Sequence, residues 1–220
     1  SAKAGKSTAV IEEPVFRSRK ERLHAGEALS QDVPHALHAE WKPPRKHRDP
    51  IELLEKSNRY RLPNLIPVRY GRMLRSPFTF LRGSAGLMAY DLATTPTTGI
   101  EVQACGDCHL LNFGLFATPE RNLIFDINDF DETLPAPWEW DLKRLAISFV
   151  VAARENRISD KVARGIAEEC VRDYRARLRK LSKLSPLEVW YERLDAQTII
   201  DTAPTSEIRK FREQVIARAR

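Results

Sequence analysis

The sequence predicts an α+β chain that is mostly helical, with a small β element set among the helices. Three observations predict it. Trp138, Leu142, Leu145, Phe149 and Ala152 recur at the spacing of one buried helical face. Val162, Ile166, Cys170, Tyr174, Leu178 and Leu181 form a second, longer stripe. Residues 100–104 and 123–127, by contrast, are short runs rich in Ile, Val and Phe with turn residues on either side, which is the pattern of strands.

Taken in order, residues 1–50 contain Pro, Lys and Arg with weak periodicity and are expected to form an extended N-terminal arm. Within it, residues 17–28 suit a short helix and residues 41–50 a turn-rich linker. Residues 51–220 are expected to form the domain proper. Asp49-Pro50 ahead of Ile51, Leu53 and Leu54 reads as a helix start, because proline at the first helical position lacks only an N–H that has no partner there. Further helices are expected over 64–74 and over 84–93, the latter ended by Pro96-Thr97-Thr98-Gly99. Pro135-Ala136-Pro137 is expected to open the helix that carries Trp138. Ser159 opens the next, and two or three more finish the chain.

At 220 residues, 42% hydrophobic and 30% charged, the chain can bury one sizeable core or a core plus appendages. No run of eighteen apolar residues predicts a membrane span, and no leader is visible, so the expected location is cytoplasmic. The absence of an opening Met and a last residue, Arg220, inside a helical pattern suggest that both ends are cut. A net charge of +6 and a pI near 9.3 permit an anionic partner such as a nucleotide or a phosphorylated substrate. From Arg154 to Arg220 there are sixteen Lys or Arg against eleven Asp or Glu. Acids are interspersed and aromatics few, which describes a solvated helix face rather than a nucleic-acid surface. Oligomeric state is not legible.

The most informative string is Gly106-Asp107-Cys108-His109-Leu110-Leu111-Asn112, followed by Asp129-Phe130-Asp131 and by Asp141. An Asp and an Asn five residues apart can come from one short loop, so that the carboxylate faces a substrate hydroxyl while the amide oxygen faces a metal ion. Phosphoryl transfer needs in-line positioning and cations rather than covalent help. Asp107 is therefore the expected catalytic carboxylate, with His109 bracing its loop by hydrogen bonding. Asn112 and Asp129 are expected to bind magnesium, with Asp131 as an auxiliary carboxylate. Asp126, Asp131 and Glu132 crowd the same strand end, where like charges repel unless a cation sits among them. Asp141 is expected to cap or stabilise its helix start. Turns alone would account for Gly106-Asp107 and Asn128-Asp129 singly, but not for the joint spacing.

Other strings invite other chemistry. Cys105-Gly106-Asp107-Cys108-His109 fits the C-x-x-C-H pattern of c-type haem attachment, although only Met73 and Met88 offer a thioether. The cysteine pair would also suit a redox or zinc role, but the third cysteine, Cys170, lies on an apolar stripe, and small buried cysteines are the simpler account. Gly5-Lys6-Ser7-Thr8 matches the end of a phosphate-binding loop but lacks its earlier glycine and its strand. Arg82, beside Gly83 and Gly86, suits either a tight turn or a phosphate contact.

Gly106-Asp107-x-His109-x-x-Asn112 resembles the loop of the aminoglycoside phosphotransferase and choline kinase group, and Asp129-Phe130 resembles its metal-binding pair. Phe80-Leu81-Arg82-Gly83, the run from Gly106 to Gly114, Asn128 to Thr133 and Pro137 to Asp141 resemble more closely a bacterial family called domain of unknown function 2252. The resemblance covers roughly residues 17–220, with its specific motifs between 80 and 145. It implies a protein-kinase-like catalytic domain of the C-lobe type, incomplete at its C-terminus and part of a circularly permuted fold. It also implies magnesium and ATP as cofactors and Arg82 as a substrate or phosphate contact, with no established acceptor. The expected function, in the full-length protein, is that of a phosphotransferase acting on an unknown hydroxyl, and the alternative is a non-catalytic nucleotide-binding or regulatory pseudokinase.

Overall fold

A computed structural model describes residues 17–42 and 48–219. Gly5-Lys6-Ser7-Thr8 and the middle of the 41–50 linker lie outside the described residues. Helix α1 (Arg19–Asp32) runs on past the expected residue 28 and opens with a reciprocal capping box between Ser18 and Glu21. Helix α2 (Pro50–Ser57) starts as expected, with the Asp49 carboxylate accepting from the N–H groups of Ile51 and Glu52. A single 3-10 turn, Pro63–Leu65, leads into α3 (Ile66–Met73). Helix α4 (Pro77–Arg82) was not legible from apolar spacing, although Ser76 and Thr79 cap it reciprocally around a proline at its first position. Helix α5 (Ala85–Leu92) follows Ser84.

Four strands come next: β1 (Glu101–Ala104), β2 (Phe113–Ala117), β3 (Leu123–Ile127) and β4 (Leu134–Pro137). They pair as two antiparallel two-stranded sheets, β1 with β4 and β2 with β3. Pro135-Ala136-Pro137 therefore does not open a helix. It is the edge of a ribbon, with Pro135 across from Gln103 and Pro137 across from Glu101. A two-stranded ribbon has an open side that needs no N–H donor, so alternate prolines are tolerated there. The helix α6 (Glu139–Glu155) begins just after it, and α7 (Asp160–Leu181) follows with Ser159 as its N-cap. Three helices close the described chain, α8 (Pro186–Tyr191), α9 (Ala196–Asp201) and α10 (Ser206–Ala219). The architecture is thus α+β and mostly helical. No helix among the described residues is long and apolar enough to cross a membrane.

The pairing is nested, the β2–β3 hairpin being inserted between β1 and β4. Ala104 ends β1 opposite Leu134, and Phe113 begins β2 opposite Ile127. The two connections, residues 105–112 and 128–133, must therefore cross the same gap between the two ladders. They touch there: Asn128 N–H donates to Asn112 O at 2.9 Å, and Thr133 Oγ1 donates to Ala104 O at 2.7 Å.

Helix α6 packs on α7 and α4. Its expected apolar stripe, Trp138 to Ala152, is only half-buried, and its buried positions are Glu139, Arg144, Ser148 and Ala153. Buried polar groups persist only where they are hydrogen-bonded, and these reach the chain running alongside. Glu139 accepts from Thr98, and Ser148 accepts from Leu110 N–H at 2.9 Å.

Gly106 shows how tightly the two connections meet. Its φ is 80°, and a Cβ there would lie 2.0 Å from the carbonyl oxygen of Glu132. Gly106→Ala is expected to destabilise the protein by at least about 2 kcal/mol, measured by urea unfolding, because both backbone strain and a backbone clash arise.

Candidate active site

The loop over residues 105–112 has no ladder of its own, so its N–H groups need acceptors from elsewhere. Asp141 supplies two. Its Oδ2 accepts from Cys105 N–H at 2.7 Å and its Oδ1 from Gly106 N–H at 3.1 Å. Asp141 does stand in the first turn of α6, but its carboxylate is turned to the loop rather than to its own helix end.

Three residues further along α6, Arg144 enters the same loop. It is 2% exposed, and its Nε donates to Asp107 Oδ1 at 2.9 Å, with Nη2 bonded to the same oxygen. Nη2 also donates to Leu81 O at 2.6 Å, and Nη1 meets the Met88 sulfur. The other Asp107 oxygen faces His109 Nε2 at 3.5 Å. His109 is buried, edge-on to Phe78, and its Nδ1 accepts from Leu111 N–H at 3.1 Å. That bond leaves the ring proton on Nε2, directed at Asp107. Burial alone would raise the Asp107 pKa, but the His109 hydrogen bond and the Arg144 guanidinium together outweigh it and hold the carboxyl below its ordinary value of 3.8.

Asn112 closes the site. Its Nδ2 donates to the carbonyl oxygens of Asp107 and Asp129, 3.0 Å each, and lies 3.4 Å from Cys105 Sγ. One buried amide thus spans both connections. Asp129 Oδ1 accepts from Asp131 N–H at 2.9 Å. Among the described residues, Asn112 Oδ1 and Asp129 Oδ2 accept no hydrogen bond, so two hard oxygen donors are left free, a set that suits magnesium. No group of three or more His, Cys, Asp or Glu side chains among the described residues is placed to hold a metal.

Asp107, His109, Asn112, Asp129, Asp131 and Glu132 line one cavity of about 1200 Å³. Asp126 does not: it lies in β3, its Oδ1 accepting from Ile127 N–H, so the expected crowding of carboxylates is smaller by one. Glu132 is paired with Arg61 at 3.4 Å. Arg82 lines the cavity from α4, together with Arg69, Arg72 and Arg75 from the α3 side. Sequence reasoning brought Asp107, His109, Asn112, Asp129, Asp131 and Arg82 to this cavity and missed Arg144 and Ser148. Their signal was faint: polar residues at helical spacing from Asp141 on an otherwise apolar helix.

The two cysteines of the loop are buried. Desolvation pushes the Cys108 thiol up to about 12 and raises Cys105 as well, and the Asp141 charge adds to both. Both shifts favour the protonated thiol over the thiolate.

A family model described as uncharacterized protein conserved in bacteria, DUF2252, matches residues 61–220. The chain belongs to this family. The DUF2252 match starts later than the expected residue 17 and takes in the cavity-lining residues from Arg61 onward. No curated protein and no solved structure matches the chain.

The depressed pKa of Asp107 makes stability pH-dependent with a definite sign. The contribution is fully present above the unfolded-chain value, near pH 4, and is lost as pH falls through the lower folded value. Arg144→Met is expected to destabilise the protein by about 3 kcal/mol at pH 7 and to flatten this acid limb, with Asp107→Asn in the same chain restoring part of the loss. Urea midpoints from pH 7 down to about pH 2, which spans the carboxylate titration range, would check this, and additive single effects would mean the pair is uncoupled.

Proposed function

We propose that this DUF2252 chain carries the catalytic loop of a kinase-like phosphotransferase that uses magnesium and ATP to phosphorylate a hydroxyl group. The observation that carries the proposal is the Asn112 amide. By bonding the backbone carbonyls of Asp107 and Asp129 at 3.0 Å each, it ties together the two loops whose aspartates line one cavity. A hydroxyl and a cation-bound phosphate need that kind of fixed juxtaposition to meet in line.

Asp107, ionised and fixed by Arg144 and His109, would accept a hydrogen bond from the attacking hydroxyl and aim its oxygen. With a pKa below the ordinary value it is a weak base, so it orients the hydroxyl and takes the proton only as the oxygen becomes acidic during bond formation. His109 acts as a positioning residue, since its Nδ1 is occupied by Leu111 N–H. Asn112 and Asp129 would hold magnesium, with Asp131 as an auxiliary carboxylate, and magnesium when bound neutralises charge on phosphate oxygens.

One observation favours a second reading, a module that binds nucleotide without turnover: both Asp107 oxygens already face protein partners. The two differ in a direct assay. Magnesium-dependent phosphate release or transfer from ATP is expected of the protein, and Asp107→Asn is expected to lower it at least about a hundredfold. Asp129→Ala is expected to remove the magnesium-dependent part of nucleotide binding. Unchanged turnover in the first variant ends the assignment of Asp107, and nucleotide binding without turnover in the unmodified protein selects the second reading.

A further inference from the structure

Residues 57–90 contain six arginines, Arg59, Arg61, Arg69, Arg72, Arg75 and Arg82, and no Lys, Asp or Glu. That equals the formal net charge of the whole chain, +6, so bases and acids balance everywhere else. Five of the six line the cavity that also holds Asp107 and Asp129. Arginines from this segment and the carboxylates of Asp107, Asp129, Asp131 and Glu132 thus line the same concave site.

Two of these arginines are committed to the protein. Arg61 pairs with Glu132, and Arg69 donates to Asn58 Oδ1 at 2.7 Å and to Gly83 O at 2.6 Å. Arg69 is half-buried, and desolvation first, then the nearby Arg61 charge, lowers its pKa. Arg72, Arg75 and Arg82 are exposed, and their guanidinium groups make no hydrogen bond or ion pair among the described residues. The guanidinium fork matches phosphate oxygens bidentately, and a doubly charged anion would relieve the mutual repulsion.

We propose that Arg72, Arg75 and Arg82 form a phosphate-binding subsite for the acceptor, which makes the acceptor a phosphorylated small molecule with a free hydroxyl. The proposal rests on the phosphotransferase reading and deepens it. A small anion fits better than a nucleic-acid backbone, because the carboxylates of Asp107, Asp129 and Asp131 in the same cavity would repel an extended polyanion.

The test uses calorimetric titration of the protein with inorganic phosphate and with glycerol 3-phosphate, without magnesium or nucleotide. Both are expected to bind. Arg72→Gln combined with Arg75→Gln is expected to weaken both at least about tenfold, leaving the thermal midpoint unchanged and magnesium-ATP affinity within about twofold. Asp129→Ala is expected not to weaken phosphate binding. Three results overturn the proposal: phosphate binding that survives the arginine substitutions, an affinity loss confined to magnesium-ATP, or equal loss of binding to a single-stranded oligonucleotide of arbitrary sequence. Because no step of the titration requires turnover, failure of the subsite and failure of the Asp107 assignment are read separately.

Discussion

The arrangement depends on one face of one helix. Asp141, Arg144 and Ser148, three and four residues apart on α6, hold in turn the N–H groups of Cys105 and Gly106, the carboxylate of Asp107 and the N–H of Leu110. The loop has no ladder to hold it, so its shape is the imprint of that face. Hydrogen bonds to charged groups contribute about 1.5–3 kcal/mol each, and leaving the same groups buried without partners would be as unfavourable. A rotation of α6 by one residue would break all of them together. This is why α6 gives its most buried positions to polar side chains, and why its packing on α7 and α4 bears on the geometry of the loop.

The helix fixes the first connection; the strand order brings the second to it. With β2–β3 nested between β1 and β4, residues 128–133 have no course except across the same gap, and Asn112 then ties the two backbones through one amide group. A carboxylate in place of that amide would set negative charge against two carbonyl oxygens. The need for two donors at this point, independent of any metal, accounts for Asn rather than Asp at position 112.

Much of this is legible in the sequence. The existence of helices α6 and α7 and of strands β1 and β3 follows from periodicity and apolar runs, although the buried positions of the two helices are not the apolar stripes. What stayed hidden has physical reasons. Strand β2 sits in a two-stranded ribbon, half-buried and then exposed along its length, so it lacks the alternation that a one-faced sheet would impose. In β4 the prolines argue for a break unless one knows that an open edge is waiting for them. Arg144 is the instructive miss. A charged residue on a helix reads as solvent-facing, and only the position of Asp107 across the loop makes its burial tolerable.

The two sets of arginines in this site stand in opposite electrostatic situations, and that difference constrains the chemistry. Arg144 is buried and matched by Asp107, so the pair presents little net charge to the cavity beyond the part of the carboxylate that remains exposed. Arg72, Arg75 and Arg82 are solvated and matched by nothing among the described residues, so their field reaches into the cavity with only salt to screen it. An anion arriving there is drawn toward α3 and α4 rather than toward Asp107. A hydroxyl carried by the same molecule would then be left to the carboxylate, whose lowered pKa keeps it ionised and able to accept a hydrogen bond at any neutral pH. Charge separation within one cavity, with compensated charge at the loop and uncompensated charge on the helices, is what would orient a bifunctional substrate without a deep or enclosing pocket.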